Sequence, residues 1–308
     1  MIGLRVLAAG PVVTFTDEGR PGRMRWGVPA SAPMDPAALR AVRAVTGPGA
    51  AVEVSLGGLE VAVEGAPCTL AVAGGDFQVT RNGLRIGGAC AFAAFPGNRV
   101  RIAPQAKGGG AWAYLGAEGG FDAPLWQGSA ATHVASSLGG GALRAGDLLR
   151  FESPRIAYRR QGPIHLPDRP DGPFRLVLGP QDRHFPGEAI DALFESEWRA
   201  TARGNRMGMG LDGPALRPSG ALSIPSEPLV RGAVQVNGEG GVVVLAADHQ
   251  TAAGYPKIAV LASVDHGRFA QLRPGTPLRF ERIEPAEAVA LAREAARRLD
   301  GEGGAASG

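Results

Sequence analysis

The fold is decided by the stretch Leu143-Arg144-Ala145-Gly146-Asp147-Leu148-Leu149-Arg150-Phe151-Glu152, which returns as Leu272-Arg273-Pro274-Gly275-Thr276-Pro277-Leu278-Arg279-Phe280-Glu281. Seven of the ten positions agree, at a constant offset of 129 residues. In each copy a glycine suited to a turn leads into a run that suits a closing strand. A glycine turn before a strand is common, so chance agreement is the alternative, but the length of the match favours two related β units.

The two copies set the expected domain boundaries. We predict a first β unit over residues 1–155 and a second over 173–300, and the second unit ends in a helix. Residues 156–172 between them are rich in Pro and Arg, which is typical of a linker. The Gly-, Ala- and Ser-rich residues 301–308 are expected to form a disordered tail.

Short β-prone runs separated by turn residues fill both halves of the chain. The 47 glycines and 25 prolines suit a turn-rich β-protein better than a helical one. Asn82-Gly83 lies inside one such run and predicts a tight hairpin, because both residues tolerate positive φ. The sequence predicts few helices: one capped by Asp35, one over residues 188–198 and one that begins at Pro285. The expected fold class is therefore mainly β with a C-terminal helix.

Composition and charge exclude several classes of protein. With 44% hydrophobic and 20% charged residues, the chain can build ordinary cores and is not expected to be disordered. The net charge is only +3 and the basic residues are scattered, so we expect no nucleic-acid partner and no membrane binding. Cys68 and Cys90 lie in apolar runs without the spacing of a zinc site, so no metal is expected. No apolar run approaches the ~18 residues of a membrane span and no leader segment is visible, which predicts a cytoplasmic protein.

The usual signatures of self-sufficient enzymes are missing from the sequence. It has no GxxxxGKS/T loop for nucleotide phosphates, and neither HExxH nor GxSxG occurs. It also lacks a Met-Lys-Met biotinylation site, since its methionines stand at positions 1, 24, 34, 207 and 209. We therefore expect no firmly bound cofactor on this chain.

Four dense polar clusters on predicted loops remain as candidates for function, because sites concentrate on loops. The clusters are residues 19–22 with 26–35, residues 205–208, residues 225–236 and residues 247–257. Each combines turn glycines or prolines with groups able to bind a polar ligand.

The fourth cluster offers the most chemistry. An apolar strand is followed by Asp248, Gln250 and Thr251, and after a glycine turn come Tyr255 and Lys257. Such a loop presents a carboxylate, an amide, a hydroxyl, a phenol and an ammonium together, and these groups can orient a carboxylate or amide substrate and transfer a proton. The alternative is that Asp248 and Thr251 only bind backbone donors of the turn.

Other candidate residues also have structural interpretations. His249 and His266 are candidate bases, although a His beside a strand is more often structural. Asp35 is either a site residue or a helix cap. Arg206 can clamp a carboxylate with both arms of its guanidinium, or pair with a neighbour such as Asp212.

These clusters, taken in order, resemble one protein family. The motifs that carry the resemblance are GRPG at 19–22, GVPASAPMD at 27–35, EVSLGG at 53–58, GGFD at 119–122, GPQD at 179–182, NRMG at 205–208, IPSEP at 224–228, GAVQV at 232–236, ADHQTAAGYPKIA at 247–259 and QLRPG at 271–275. The chain is similar to the family of allophanate hydrolase subunit 2, the kinase-inhibitor antagonist protein and the C subunit of 5-oxoprolinase. It also resembles part of the carboxyltransferase region of urea carboxylase.

The resemblance implies two cyclophilin-like β-barrel units, in agreement with the repeated stretch. It implies a companion similar to the B subunit of 5-oxoprolinase or to allophanate hydrolase subunit 1, and an ATP-using A subunit that holds ATP and Mg. The expected activity is the opening of a small cyclic amide, 5-oxoproline, to glutamate by the complex and not by this chain alone. The alternatives are carboxyl transfer to urea or another amide, with carboxybiotin from a partner, and a regulatory binding protein without catalysis.

Together, the clusters and the resemblance select ten site residues. We expect catalytic roles for Asp248, Tyr255 and Lys257. We expect substrate binding by Ser31, Asp35, Arg206, Glu227, Gln235, Gln250 and Thr251.

The chain departs from the family pattern at a few positions. Ala32-Pro33 stands where Gly-Ala is common, Asn205 where Asp is usual, Gly210 where Arg is frequent, and Ala252-Ala253 where the pattern has Thr-Gly. Loss of Gly at two tight turns restricts the backbone. Loss of a carboxylate and a guanidinium changes the electrostatics expected at the second-unit site.

Overall fold

The protein is mainly β-structure, as the sequence predicts. The computed structural model describes residues 2–106, 109–153, 161–167, 169, 171–179, 181–220 and 224–305. The chain divides into two compact units, Met1–Gly22 with Ala30–Asp168, and Arg23–Pro29 with Arg169–Gly308. Each unit has its own apolar core. The predicted boundary at residue 155 would place Arg23–Pro29 in the first unit, whereas these residues group with the second.

The first unit is built from two six-stranded antiparallel sheets around one core. Its elements are β1 (Gly3–Ala9), β2 (Thr14–Thr16), α1 (Pro36–Thr46), β3 (Ala51–Val54), β4 (Leu59–Glu64), β5 (Cys68–Gly74), β6 (Phe77–Arg81), β7 (Leu84–Gly87), β8 (Cys90–Ala94), β9 (Arg99–Pro104), β10 (Ala113–Ala117), β11 (Leu148–Arg150) and β12 (Gly162–Pro163). The strand orders are β11-β1-β4-β9-β6-β7 and β12-β8-β5-β10-β3-β2. Strand β4 alternates buried and partly exposed residues, so one face of its sheet packs on the core and the other meets solvent.

Two local predictions for the first unit are confirmed. Asn82 and Gly83 join β6 to β7 with φ values of +52° and +81°, the positive angles that a two-residue hairpin requires. Asp35 caps α1, where its Oδ1 accepts the Ala38 N–H at 3.3 Å, and Pro36 occupies the first turn. Leu39 and Val42 of the helix are fully buried against the unit's second sheet.

The second unit centres on one eight-stranded sheet. Its elements are β13 (Phe174–Leu178), α2 (Gly187–Glu195), β14 (Trp198–Ala200), β15 (Gly208–Asp212), β16 (Glu227–Pro228), β17 (Ala233–Val236), β18 (Val242–Leu245), β19 (Ala252–Ala253), β20 (Lys257–Leu261), α3 (His266–Ala270), β21 (Pro277–Leu278), β22 (Phe280–Arg282) and α4 (Pro285–Ala305). The sheet order is β21-β14-β15-β18-β17-β20-β13-β22, and β16 pairs separately with β19.

The repeated stretch closes the first unit. Its turn has Gly146 at a φ of +97°. The Gly146 N–H donates to the Val6 carbonyl at 2.9 Å, and the Val6 N–H donates to the Asp147 carbonyl at 2.8 Å. Strand β11 then pairs with β1 of the first sheet, and Phe151 forms an isolated bridge with Phe121, which in turn bridges Ala50 next to β3 of the second sheet. One segment thus joins the two sheets.

The second copy closes the second unit with the same contacts. Gly275 has a φ of +84°, and its N–H donates to the Ala200 carbonyl at 2.7 Å, while the Ala200 N–H donates to the Thr276 carbonyl at 3.1 Å. Strand β21 pairs with β14 and β22 pairs with β13, so only Arg279 separates the two outer strands of the sheet. The sheet is therefore barrel-like, and the repeat has one structural role in both units.

The helix expected over residues 188–198 is shorter in the structure. Helix α2 ends at Glu195, and Trp198 instead begins β14. The Trp198 indole is fully buried beside Phe280, with ring centroids 6.3 Å apart, and its N–H donates to the Leu193 carbonyl at 3.0 Å. Burial in the barrel core overrides the helical spacing that Trp198 shares with α2.

Regular structure occurs in parts of the predicted linker and tail. Of the predicted linker 156–172, residues 156–160, 168 and 170 lie outside the described residues. Gly162–Pro163 form β12 at the edge of the first unit's sheet, and Ile164 and Leu166 pack against that unit's apolar residues. Helix α4 continues to Ala305, so residues 301–305 are helical, and 306–308 lie outside the described residues.

Among the described helices, none is both long and apolar enough to cross a membrane.

Candidate functional site

Three of the four polar clusters meet in the second unit. Strand β16 carries Glu227 and pairs with β19 in the fourth cluster, with Glu227 opposite Ala253. Strand β17 pairs with β20, with Gln235 opposite Lys257. Directly opposed residues in a sheet point to the same face. These pairings therefore bring polar side chains of residues 225–236 and 247–257 together.

The result is a row of five polar side chains, which we call the amide row: Gln250, Gln235, Lys257, Glu227 and Gln181. The Gln250 Nε2 lies 3.5 Å from the Gln235 Oε1. The Lys257 Nζ donates to the Glu227 Oε2 at 3.3 Å, and that oxygen also accepts the Gln181 Nε2 at 2.5 Å.

Gln181 binds both Lys257 and Glu227 and is absent from the sequence prediction. It is 3% exposed, and its Oε1 accepts the Lys257 N–H at 2.9 Å while its Nε2 reaches Glu227. The residue lies in the GPQD motif, where a polar side chain directly follows β13 and signals a site at the end of a strand. Its partners are 76 and 46 residues away, so no local pattern could identify them.

Gln235 leaves one buried donor unused. The residue is 6% exposed, and its Nε2 has no hydrogen-bond partner among the described residues. If the amide were turned over, its oxygen would take that position, and one polar atom would still lack a partner. Buried polar atoms are nearly always paired, so an unpaired one beside partly exposed charges favours a ligand-binding site.

Arg206 and Asp248 form a buried ion pair below the fourth cluster. The Arg206 Nε and Nη2 donate to the two Asp248 oxygens at 2.8 and 2.9 Å, and both side chains are about 5% exposed or less. The Asp248 N–H also donates to the Arg206 carbonyl at 2.7 Å. The other candidate partner, Asp212, instead faces Arg203 at 3.8 Å on the surface. Since both Asp248 oxygens bind Arg206, this geometry favours a positioning role for Asp248 over proton transfer.

The remaining residues of the fourth cluster differ in exposure. Tyr255 is 49% exposed, so its phenol is available to a ligand. Thr251 is half-buried, and its carbonyl accepts the Leu229 N–H at 3.0 Å. This backbone bond ties the loop to Leu229 and does not involve the Thr251 hydroxyl.

The two candidate bases are weakly basic: His249 is buried and His266 is half-buried. Burial, and next the nearby Arg231, lower the pKa of His266 to about 3. Burial also lowers the pKa of His249, whose Nδ1 lies 2.7 Å from the Gln250 carbonyl. Both imidazoles are therefore neutral near pH 7, and their contacts are structural.

Ser31 and Asp35 belong to the first unit, and the Asp35 backbone contacts a buried phenol that is paired with a carboxylate. The Tyr114 hydroxyl donates to the Glu53 Oε2 at 2.7 Å and accepts the Asp35 N–H at 2.8 Å. Burial, and then the charges of Glu53 and Asp35, raise the pKa of Tyr114 well above its ordinary value. Ser31 is fully buried with a φ of +49°, and its Oγ has no partner among the described residues.

Sequence reasoning does not select Glu53 or Tyr114. Both are 0% exposed and lie on the paired strands β3 and β10. A signal exists in the sequence, because Glu53 interrupts the apolar run of β3 and a carboxylate in a buried strand requires a partner.

The departures from the family pattern cause little backbone strain. Ala32, Ala252 and Ala253 all lie outside the positive-φ region, so glycine is not required at these positions. The Asn205 Oδ1 accepts the N–H groups of Met207 and Gly208 at 2.7 and 3.3 Å, a turn that an aspartate would form equally well.

Side chains of the types that bind metals do not cluster among the described residues. No three His, Cys, Asp or Glu side chains there lie close enough to hold a metal ion. Burial raises the pKa of the Cys68 thiol to about 12 and that of Cys90 to about 11, so both stay protonated.

Comparison with known proteins identifies the family of this chain. The model of the carboxyltransferase domain, subdomain A and B, matches residues 26–282. The C subunit of 5-oxoprolinase from Escherichia coli K12 is 32% identical over 295 residues, which cover 93% of this chain and 93% of that protein. The corresponding 5-oxoprolinase C subunit of Haemophilus influenzae is 30% identical over 287 residues, 91% of each chain.

A solved structure agrees in fold. The crystal structure of the K. lactis urea amidolyase matches with a TM-score of 0.86 and 25% identity, over 97% of this chain and 20% of that one. The similarity therefore includes both units of this chain and a minor part of the larger protein.

Proposed function

This chain belongs to the carboxyltransferase domain family of subdomains A and B, and we propose that it is one subunit of an ATP-dependent 5-oxoprolinase. The complex would open 5-oxoproline to glutamate, with ATP and Mg on a partner protein. The similarity to two 5-oxoprolinase C subunits over more than nine-tenths of the chain supports this proposal. The partners would be a companion of the B-subunit type and an ATP-using A subunit, all in the cytoplasm.

The observation that carries the proposal is the amide row. 5-Oxoproline is a cyclic amide that bears one carboxylate, so it is an anion near pH 7. The free Gln235 Nε2 can donate to an oxygen of such a ligand, and the exposed part of Glu227 can accept its ring N–H. Lys257 lies directly opposite Gln235 and can face the substrate carboxylate. Amides, an ammonium and a carboxylate in this order match the groups of a lactam acid.

The two ion pairs set the charge of the site. Lys257 is paired with Glu227 and Arg206 with Asp248, so the cluster is close to neutral. Arg206 and Asp248 hold the loop that carries Gln250, while Tyr255 and Lys257 are the groups that can transfer or receive a proton. ATP on the partner would supply the activation of the amide carbonyl, because an unstrained amide resists hydrolysis. Water then adds to the carbonyl carbon, the ring C–N bond breaks, and the nitrogen takes up a proton, while the ATP consumed on the partner would leave as ADP and phosphate.

The likeness to the K. lactis urea amidolyase favours one alternative. In that case the same row would bind urea or another amide, and a partner would deliver carboxybiotin. The two functions differ in what the partner must carry: an ATP-using hydrolase or a biotinylated domain.

Reconstitution tests the proposal. The chain is co-expressed with the proteins encoded beside it, and glutamate released from 5-oxoproline is measured with and without ATP and with and without this chain. We expect release only when ATP and this chain are both present. A stable complex that releases no glutamate but consumes ATP with urea and biotin would replace this function by carboxyl transfer, and a complex without any turnover would leave a regulatory role.

A further inference from the structure

A turn at Arg23–Trp26 projects an unusual group of side chains. It is a single 3₁₀ turn, in which the Trp26 N–H donates to the Arg23 carbonyl at 3.0 Å and the Gly27 N–H to the Met24 carbonyl at 2.9 Å. Gly22 and Gly27 flank it with φ values of +77° and +75°. Beyond the adjoining residues, no atom lies within 4 Å of where a Cβ would stand on either glycine.

Trp26 is exposed, unlike the other tryptophans of the chain. It is 57% exposed, whereas Trp112 and Trp198 are 7% and 0% exposed and Trp126 is partly buried. An exposed indole gives up one of the largest favourable free energies that the burial of a side chain can contribute. A single exposed apolar side chain is common on protein surfaces, so the indole favours a binding surface only together with the two arginines beside it.

Two guanidinium groups are stacked on this indole. The Arg25 Cζ lies 3.9 Å from the Trp26 ring centroid and the Arg23 Cζ lies 5.6 Å from it. Stacking holds the guanidinium planes and reduces the entropy lost when they bind. Neither arginine forms an ion pair within the described part of the chain, and no acidic residue occurs between Gly19 and Met34. The turn therefore presents two positive charges that lack an ion pair, next to one apolar indole ring.

We infer that this turn is an anchor for the companion protein of the complex, and that it docks into an acidic surface with an apolar slot for the indole. Tryptophan and arginine are the residues that most often dominate binding energy at protein interfaces. Uncompensated arginines select a carboxylate-bearing partner and accelerate its approach. The inference rests on the proposed function, since that function supplies the companion.

Affinity measurements on the purified complex test the anchor. The dissociation constant of the full chain and its companion is compared with those of Trp26→Ala, Trp26→Phe and the double variant Arg23→Glu/Arg25→Glu. We expect Trp26→Ala and the double variant to weaken binding by about 30-fold or more, while Trp26→Phe loses less. The matched control is Arg99→Glu/Arg101→Glu, which makes the same charge change on two exposed residues of β9 and should alter affinity by no more than about threefold.

Quenching of fluorescence by acrylamide reports the contact directly. In the wild-type complex the exposed indole becomes protected, and in the Trp26→Phe complex the companion produces no such protection. Unchanged affinity and unchanged quenching in a complex that still forms would overturn the anchor and leave the proposed function intact. If the wild-type chain does not bind the companion at all, the result contradicts the proposed function itself and not only the anchor. Binding of a single-stranded oligonucleotide by the isolated chain, lost in Trp26→Ala, would also overturn the anchor, because stacked bases use the same chemistry.

Discussion

The two units close their barrels in the same way but treat polar side chains differently. In the first unit, Glu53 and Tyr114 are fully buried, and their hydrogen bonds fix the backbone that opens α1. In the second unit, Lys257 and Glu227 keep part of their surface exposed, and Gln235 retains a buried atom without a partner among the described residues. Paired buried groups stabilise one conformation, whereas unpaired groups are available to a ligand. Ser31 of the first unit also has an Oγ without a partner among the described residues, but this residue is fully buried. The unpaired Gln235 atom instead lies beside the partly exposed pair of Lys257 and Glu227, and we therefore assign the chemistry to the second unit.

The largest expected effect comes from breaking the ion pair beneath the amide row. Arg206→Ala leaves the buried Asp248 carboxylate without its guanidinium and should lower the free energy of unfolding by about 3–5 kcal/mol. Urea denaturation measures the loss. Arg203→Ala is the control, since its pair with Asp212 is 3.8 Å long and well exposed, and it should cost no more than about 0.5 kcal/mol. Equal effects of the two variants would contradict the structural role of the buried pair.

Lys257→Ala separates chemistry from stability. We expect the reconstituted complex to lose about 100-fold in kcat/KM for 5-oxoproline, because the only ammonium of the amide row is removed. The free energy of unfolding should change by about 1 kcal/mol at most. Arg282→Ala, on an exposed residue near Glu284, is the control and should leave both quantities unchanged. Full activity in Lys257→Ala would remove Lys257 from the site.

A pair of tyrosine variants sharpens the comparison between the units. Tyr114→Phe leaves Glu53 and the Asp35 N–H without their shared partner and should cost about 1–3 kcal/mol of stability. Tyr255→Phe, on a half-exposed side chain, should change stability by less than about 0.5 kcal/mol but lower turnover. Thermal unfolding and steady-state kinetics on both variants measure this, and the reverse pattern would exchange the roles of the two units.

The smallest expected effect tests the equivalence of the closing segments. Gly146→Ala and Gly275→Ala each force a Cβ into a left-handed conformation with nothing within 4 Å, and each should cost about 1–2 kcal/mol. Gly187→Ala is the matched control, because its position is equally open and its φ is not positive, so it should be neutral or stabilising. A cost at one glycine alone would show that the repeat closes only one unit.

Local features are predictable from sequence because neighbouring residues specify them. The turn at Gly146 and its copy at Gly275, the hairpin at Asn82 and the cap at Asp35 depend on contacts within a few positions. The end of α2 is not predictable in this way, because Trp198 continues the helical spacing and only its burial in the barrel makes it a strand residue.

The sequence predicts where the site lies but not which of its side chains contact one another. The sequence indicates that residues 247–257 carry polar chemistry, yet it offers Asp212 as the neighbour of Arg206, and the partner in the structure is Asp248. Gln181 escapes prediction since its bonds depend on which strands adjoin in the barrel. Strand register decides such contacts, and a single sequence does not specify register between segments that lie far apart in the chain.

The most direct test of this account is glutamate release from 5-oxoproline by the reconstituted complex, with Lys257→Ala and Tyr114→Phe assayed side by side at a temperature where both remain folded. The account predicts ATP-dependent release that is lost in Lys257→Ala and retained in Tyr114→Phe. Retained release in Lys257→Ala, together with its loss in folded Tyr114→Phe, would contradict the assignment of the chemistry to the second unit.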